Sequence, residues 1–254
     1  MPSHTAQAAP ASQRVLSHAA FEARVLLSNG EQLMVAILMP ALVLLGLRLL
    51  PVGRLDGVPT IATAVAGALA TALISTAFTS QAIQTGFDRR AGVLRWVATT
   101  PLGRDGYLAG KILATLGLQV LQLVLLGGIG LAMGWRPGIG GLLAAVPVWL
   151  LGTIAFGALG LLIAGTLRAE AVLAVANVVF VLVVAVGGAV VPVDHYPGVL
   201  RSLVDLLPSG ALGELLRATL AQAGPFPWGA FGVLTVWAIG ASLAVMRWFR
   251  WQDV

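Results

Sequence analysis

The segment 86–106, GFDRRAGVLRWVATTPLGRDG, sets Asp88, Arg89, Arg90, Arg95 and Arg104 among apolar residues. Phe87, Leu94, Val97 and Ala98, or alternatively Val93, Trp96 and Val97, can form the apolar face of a short helix, with the charged residues on its other side. Asp88 near the start of that helix complements its dipole. Thr99-Thr100-Pro101 ends it, because a residue before proline is pushed out of the α region. The chemistry on offer is recognition rather than catalysis: an ordered amphipathic element suited to docking with a cytoplasmic partner. A basic loop that only fixes topology is the plainer alternative.

Other chemistries find little support. No Gly-x-x-x-x-Gly-Lys-Ser/Thr loop is present, so the chain has no P-loop cradle for ATP. Gly110-Lys111 lacks the upstream glycine spacing and opens an apolar run. His4, His18 and His195 are far apart and follow no metal-ligand pattern, and Asp194-His195 sits between prolines, as in a loop. With no cysteine there is neither a disulfide nor a thiolate metal site. A catalytic or metal site is therefore not expected, nor a cofactor bound by this chain.

What must position the 86–106 segment is a membrane bundle. Residues 57–87, 112–135 and 137–167 hold no charge, and a bilayer core of about 30 Å is crossed by roughly 20 apolar residues in a helix. Hydrophobic residues make up 58% of the chain and charged ones 10%, too few to cover a soluble surface of this size. Six spans follow, at 32–50, 60–85, 107–133, 140–167, 171–191 and 228–248. Pro40 interrupts the first, and Pro147 lies near the start of the fourth. The polar, Pro/Ala-rich opening MPSHTAQAAPASQR reads as a flexible tail rather than a cleavable signal.

Lysine and arginine set the orientation. Arg14, Arg24, Arg89, Arg90, Arg95, Arg104, Lys111, Arg168, Arg247 and Arg250 fall on one side, and Arg48, Arg54, Arg136, Arg201 and Arg217 on the other. The richer side, with both termini and the 86–106 loop, is cytoplasmic. The net charge of +5 is thus spread over loops facing lipid headgroups, and no basic stripe suggests nucleic acid. Arg48, near the end of the first span, snorkels to the headgroups. No span carries a charge near its middle, which disfavours a proton relay or ion-coupled carrier. Trp96, Trp135, Trp149, Trp228, Trp248 and Trp251 suit interfacial anchoring, whereas Trp237, inside the sixth span, does not. The single lysine and the Ala/Gly/Val/Leu bias resemble the usage of a GC-rich bacterial genome.

Two further segments complete the architecture. Residues 12–30 place Val15, Leu16, Ala19, Ala20, Ala23, Leu26 and Leu27 at helical spacing, with Arg14, Glu22 and Arg24 mostly elsewhere. This is an interfacial helix, broken from the first span at Ser28-Asn29-Gly30. Between spans five and six, prolines 192, 197 and 208 cut an extracellular segment into two short amphipathic helices. Leu200, Leu203, Val204, Leu206 and Leu207 share one face, and Leu212, Leu215, Leu216 and Leu220 another. Being helical, both can re-enter the bilayer. In-span glycines, Gly187-Gly188 included, serve close packing first and a gate second. Asn177 is expected to hydrogen-bond a neighbouring helix. The chain divides into a cytoplasmic tail with interfacial helix (1–30) and an all-α, polytopic, six-span domain (31–254).

The stretch FDRRAGVLRWVATTPLGRDGYLAGKIL resembles the loop and third-span start of type-2 ATP-binding-cassette permeases, the family that includes daunorubicin-type drug exporters. The shared pattern falls on Asp88-Arg89-Arg90, Gly92, Leu94, Thr100-Pro101-Leu102, Arg104 and Gly110-Lys111. Arg95 departs from it, since many members carry Glu there. The paired short helices before the last span fit the same layout. The resemblance implies a permease subunit without an ATPase site, working with a second permease subunit, identical or homologous. Cytoplasmic ATPase subunits, two copies or two homologues, would bind ATP and Mg. It also implies that Asp88, Arg89, Arg90, Leu94, Arg95, Trp96 and Pro101 form the ATPase-coupling element, and that the complex exports a hydrophobic drug, lipid or similar substrate across the bacterial inner membrane. The substrate path itself is not readable. A non-transport scaffold or sensor recruiting a cytoplasmic partner is the alternative.

Overall fold

The computed structural model describes residues 9–28, 30–49, 60–222 and 224–251. Expectations for the Arg48 side chain, for Arg54 and for the opening tail fall outside the described residues. Among the described residues all regular structure is helical. The helices are α1 (Ala11–Ser28), α2 (Gly30–Leu49), α3 (Thr60–Ile74), α4 (Gln81–Arg90), α5 (Val93–Val97), α6 (Gly103–Ala132), α7 (Ile139–Thr166), α8 (Ala169–Val186), α9 (Gly198–Asp205), α10 (Pro208–Leu220) and α11 (Trp228–Trp248). A π-helical segment, Ser75–Ser80, joins α3 to α4 without a break, giving one rod from Ile61 to Arg90. That rod, α6, α7, α8 and α11 are the five described helices long and apolar enough to cross a membrane; α2 contributes a shorter apolar stretch, Ala36–Gly46.

The Ile61–Arg90 rod is the axis of the bundle. Its most apolar window is 89% buried, against 17–44% for the other four spans. The sequence of α3, TIATAVAGALATALI, explains this: alanine and glycine let neighbouring backbones approach, as helix packing in lipid requires. α2, α6, α7, α8 and α10 surround it. The π segment is seated against a glycine, because a Cβ at Gly160 would lie 2.7 Å from the Phe78 carbonyl oxygen.

α10 enters the bundle with Leu212, Leu215, Leu216 and Leu220 buried, as the leucine pattern predicts. α9 does not: of its predicted face only Val204 is buried, and Leu200, Leu203 and Leu206 are exposed. The fifth span ends at Val186 instead of residue 191. Gly188 there has φ 77°, in the left-handed region that favours glycine. Arg217, expected on the surface, is buried. Its Nη1 donates to Ala189 O (3.1 Å) and its Nη2 to Gly188 O (3.0 Å), satisfying carbonyls that the end of α8 leaves open. Two of the predicted interfacial tryptophans also turn inward. Trp135 donates to Leu220 O at 3.1 Å and Trp149 to Gln119 Oε1 at 2.9 Å.

Candidate functional site

A 30-residue helix is about 45 Å long, well beyond a bilayer core of about 30 Å. Both the Ile61–Arg90 rod and α6 have this length, and each carries its charges at one and the same end of the bundle. There α1 packs along α6, and the chain after α11 folds back so that Phe249 and Trp251 pack against Leu94, Val97 and Tyr107.

The 86–106 segment differs from its expected shape in one respect. Asp88 does not start the short helix; it lies in the last turn of α4, which runs on to Arg90 because nothing before Gly92 interrupts the helix. Arg89 and Arg90 in that turn complement its C-terminal dipole. Gly92, at φ 74°, makes the bend, and α5 follows as a separate turn. Thr99 and Thr100 hydroxyls donate to Trp96 O and Val97 O, both at 2.7 Å, ending α5 just before Pro101.

The predicted coupling residues therefore divide into two groups. Leu94 is fully buried, and Val97 nearly so, holding α5 onto α6. Arg89 is buried and donates to Leu167 O at the end of α7. Asp88 accepts a hydrogen bond from Tyr107 Oη at 2.6 Å. Facing outward are Arg95, Trp96 and Pro101, with Trp96 69% exposed. Arg90 is also exposed, and pairs with Glu170 at the start of α8. Arg104 lies over the Trp251 ring, 4.9 Å from its centroid.

Beneath α5 is a cluster that sequence reasoning did not assign. Lys111, fully buried, donates to Glu22 Oε2 of α1 at 3.0 Å and pairs with Asp88 Oδ2 of α4 at 2.9 Å. Its ammonium also lies 5.2 Å from the Tyr107 ring centroid, and His18 stacks on that ring at 5.3 Å. Burial pushes the His18 pKa below its ordinary value, and nearby Lys111 adds to this, outweighing the raising effects of Glu22, Asp88 and the Tyr107 backbone. Glu22, placed by periodicity on the polar face of its helix, is instead buried between Ala19 and Leu26. The signal was present: positions 19, 22 and 26 form one i, i+3, i+7 stripe.

Deeper in the bundle, Gln119 ties three elements together. It donates to Thr76 Oγ1 at 3.3 Å, while its Oε1 accepts from Trp149 Nε1 and from Thr153 Oγ1 at 3.0 Å. Gln122 donates to Ala36 O of α2 at 2.7 Å. Asn177 does not bond a neighbouring helix; it donates to Leu173 O of its own helix at 2.8 Å.

A helical membrane bundle with a separate amphipathic turn between two long spans was the layout expected of a type-2 permease. The family model described as ABC-2 type transporter matches residues 17–221. The chain belongs to that family. No curated protein matches it. As an ABC-2 membrane domain it is the permease component of an ABC transporter, an integral membrane protein without an ATPase site of its own. The match begins within α1 and ends just past α10, so it takes in both α5 and the Lys111 cluster. Among the described residues no group of three or more His, Cys, Asp or Glu could hold a metal ion.

Proposed function

We propose that this ABC-2 permease is the membrane subunit of an ATP-driven exporter of the daunorubicin-resistance type. Two permease subunits work with two cytoplasmic ATPase subunits, which bind ATP and Mg. The end of the bundle carrying both termini and α5 faces the cytoplasm of a bacterial inner membrane, in agreement with the arginine distribution. Six spans cross the membrane, α2 being the first, and the cargo is a hydrophobic drug, lipid or similar compound.

The observation that carries the coupling role is the two-sided nature of α5. Arg95, Trp96 and Pro101 face outward, while Leu94 and Val97 fix the same turn to α6 and the C-terminal segment. A push on the outward side is thereby delivered to long rigid helices, which can exchange inward- and outward-facing states by rigid-body motion.

The test is Arg95→Glu: although many family members carry Glu there, this chain's own partner has to complement an arginine, so Glu reverses a charge match made within this pair. Arg90 is the poorer choice, because Glu there would confront Glu170. Arg95 is exposed, so its replacement leaves stability within about 0.5 kcal/mol. Co-expressed with an ATPase encoded beside it, the wild-type chain should purify as a complex whose ATP hydrolysis responds to substrate. The Arg95→Glu chain should remain folded but lose the ATPase subunit. If it keeps both assembly and substrate-stimulated hydrolysis, the coupling role of α5 is wrong.

A further inference from the structure

Between α1, the α4–α5 region and α8 lies an open cleft of about 1280 Å³. Its walls are apolar and exposed within it: Phe21 and Val25 of α1, Phe87 of α4 and Leu173 of α8 are each 41–60% accessible. The π segment lines it with Ser75, Thr79 and Ser80. Thr79 is 91% buried, with its hydroxyl lacking any hydrogen-bond partner. A buried hydroxyl without a partner is unfavourable, and π-helical turns recur at functional sites. This volume exceeds the usual 300–1,000 Å³ or so of a small-molecule site and suits something with a long apolar body.

Charge at the cleft specifies the other end of that body. Arg14, Glu22, Asp88 and Lys111 all line it. Lys111 already faces two carboxylates, so that group keeps one negative charge, and Asp88 is its accessible member, with 29% of its side chain exposed. Arg14, two helical turns before Glu22 and about 12 Å away along α1, supplies the balancing positive charge. Its Nε is buried with no hydrogen-bond partner. An anionic ligand would leave the Asp88 end uncompensated, and a cationic one the Arg14 end.

We infer that the cleft binds a zwitterionic, phospholipid-like amphiphile from the adjoining leaflet. Its anionic group lies at Arg14, its ammonium at Asp88, and its ester carbonyl accepts from the Thr79 hydroxyl while the acyl chain runs past Phe21, Val25 and Ile83. This goes beyond transport as such. It rests on the permease reading only for assigning this end to the inner leaflet, and binding is measured without the ATPase, so either can fail alone.

The experiment is native mass spectrometry of the delipidated full chain, titrated with phosphatidylethanolamine, phosphatidylglycerol and a cationic diacyl lipid of matched chains. One phosphatidylethanolamine per chain should bind about tenfold more tightly than either competitor, the scale of one hydrogen bond to a charged group. Arg14→Gln should erase the preference over the cationic lipid, and Ile83→Trp, which fills the cleft, should abolish the tight site. Thr79→Val, nearly the same shape as threonine, guards against misfolding; it should weaken binding severalfold while the melting temperature holds or rises. Equal affinity for all three lipids, or tight binding undiminished in both Ile83→Trp and Thr79→Val, overturns the proposal and leaves only annular lipid.

Discussion

Removing the Lys111 charge should unfasten one end of this permease. The ammonium holds Glu22 Oε2 at 3.0 Å and Asp88 Oδ2 at 2.9 Å. At an effective dielectric of about 20, each attraction is worth about 5.5 kcal/mol before desolvation is subtracted. Donor directions on an ammonium diverge tetrahedrally, which leaves the two carboxylate oxygens about 4.8 Å apart. In Lys111→Met these oxygens face each other with no cation between them. Their repulsion at that separation is about 3.5 kcal/mol on the same scale. This agrees with the 3–5 kcal/mol or so lost when one partner of a buried ion pair is deleted. For a chain of this size, about 2–4 °C per kcal/mol translates to a fall of about 6–20 °C in melting temperature.

The assay is thermal unfolding of the purified full chain in one detergent, read by loss of the monodisperse peak on size exclusion. Lys111→Met alone should show the full loss. Lys111→Met with Glu22→Gln removes the repulsion and should regain more than half of it, so the two changes are strongly non-additive. Limited proteolysis distinguishes where the fold opens: α1 should be released before any span, since Glu22 is its anchor. A single mutant melting within about 2 °C of wild type, or a double mutant no better than the single, refutes the clamp.

Three more outcomes follow from the same structure. His18 has a depressed pKa, so below its ordinary value of 6.5 the unfolded chain binds a proton that the folded chain resists; stability should be complete above that pH and decline as pH falls beneath it, and His18→Phe should flatten the decline in a pH series of melts. Gly160→Ala should push α7 from the π segment, where its Cβ meets the Phe78 and Ala77 carbonyls at 2.7 and 3.3 Å, destabilising by about 1–3 kcal/mol, whereas Gly128→Ala, with nothing within 4 Å, should be neutral or stabilising by thermal melt. Arg217→Lys keeps the charge but replaces a two-nitrogen fork on Gly188 O and Ala189 O with a single ammonium, so the turn after α8 should lose about 1–3 kcal/mol and exchange its amides faster.

Five of the spans, the end of α5 before Pro101 and the buried leucines of α10 were legible because each is a local pattern: an apolar run, a stop before proline, a repeat near 3.6 residues. Misplaced residues were those whose surroundings come from distant parts of the chain. Glu22 is polar, and so belongs on a solvent face until a lysine 89 residues away packs over it. Trp135, Trp149 and Arg217 look like interface residues until buried carbonyl or amide oxygens recruit their N–H groups. Asp88 was assigned to the wrong helix for a smaller reason. Its aspartate suits a helix start, but no breaker precedes Gly92, and the α4 helix therefore continues through it.

These corrections change what the charged segment can transmit. Had Asp88, Arg89 and Arg90 all faced outward, they would have been contact residues, each replaceable by another polar group of similar reach. Instead Arg89 is fixed to the end of α7 and Asp88 through Lys111 and Tyr107 to α6 and α1, while Arg90 adds an exposed, weaker ion pair with Glu170 at the start of α8. The last turn of α4 is thus a junction of four elements, and under the proposed coupling role α5 would be the lever attached to it through Gly92. A force on Arg95 or Trp96 cannot displace α5 alone, because Leu94 and Val97 are packed against α6 and the C-terminal segment. It has to move the junction, and with it the Ile61–Arg90 axis around which the bundle is built. Substitutions at the outward residues should therefore change partner binding and leave melting alone, while those at Asp88, Arg89 and Leu94 should lower both.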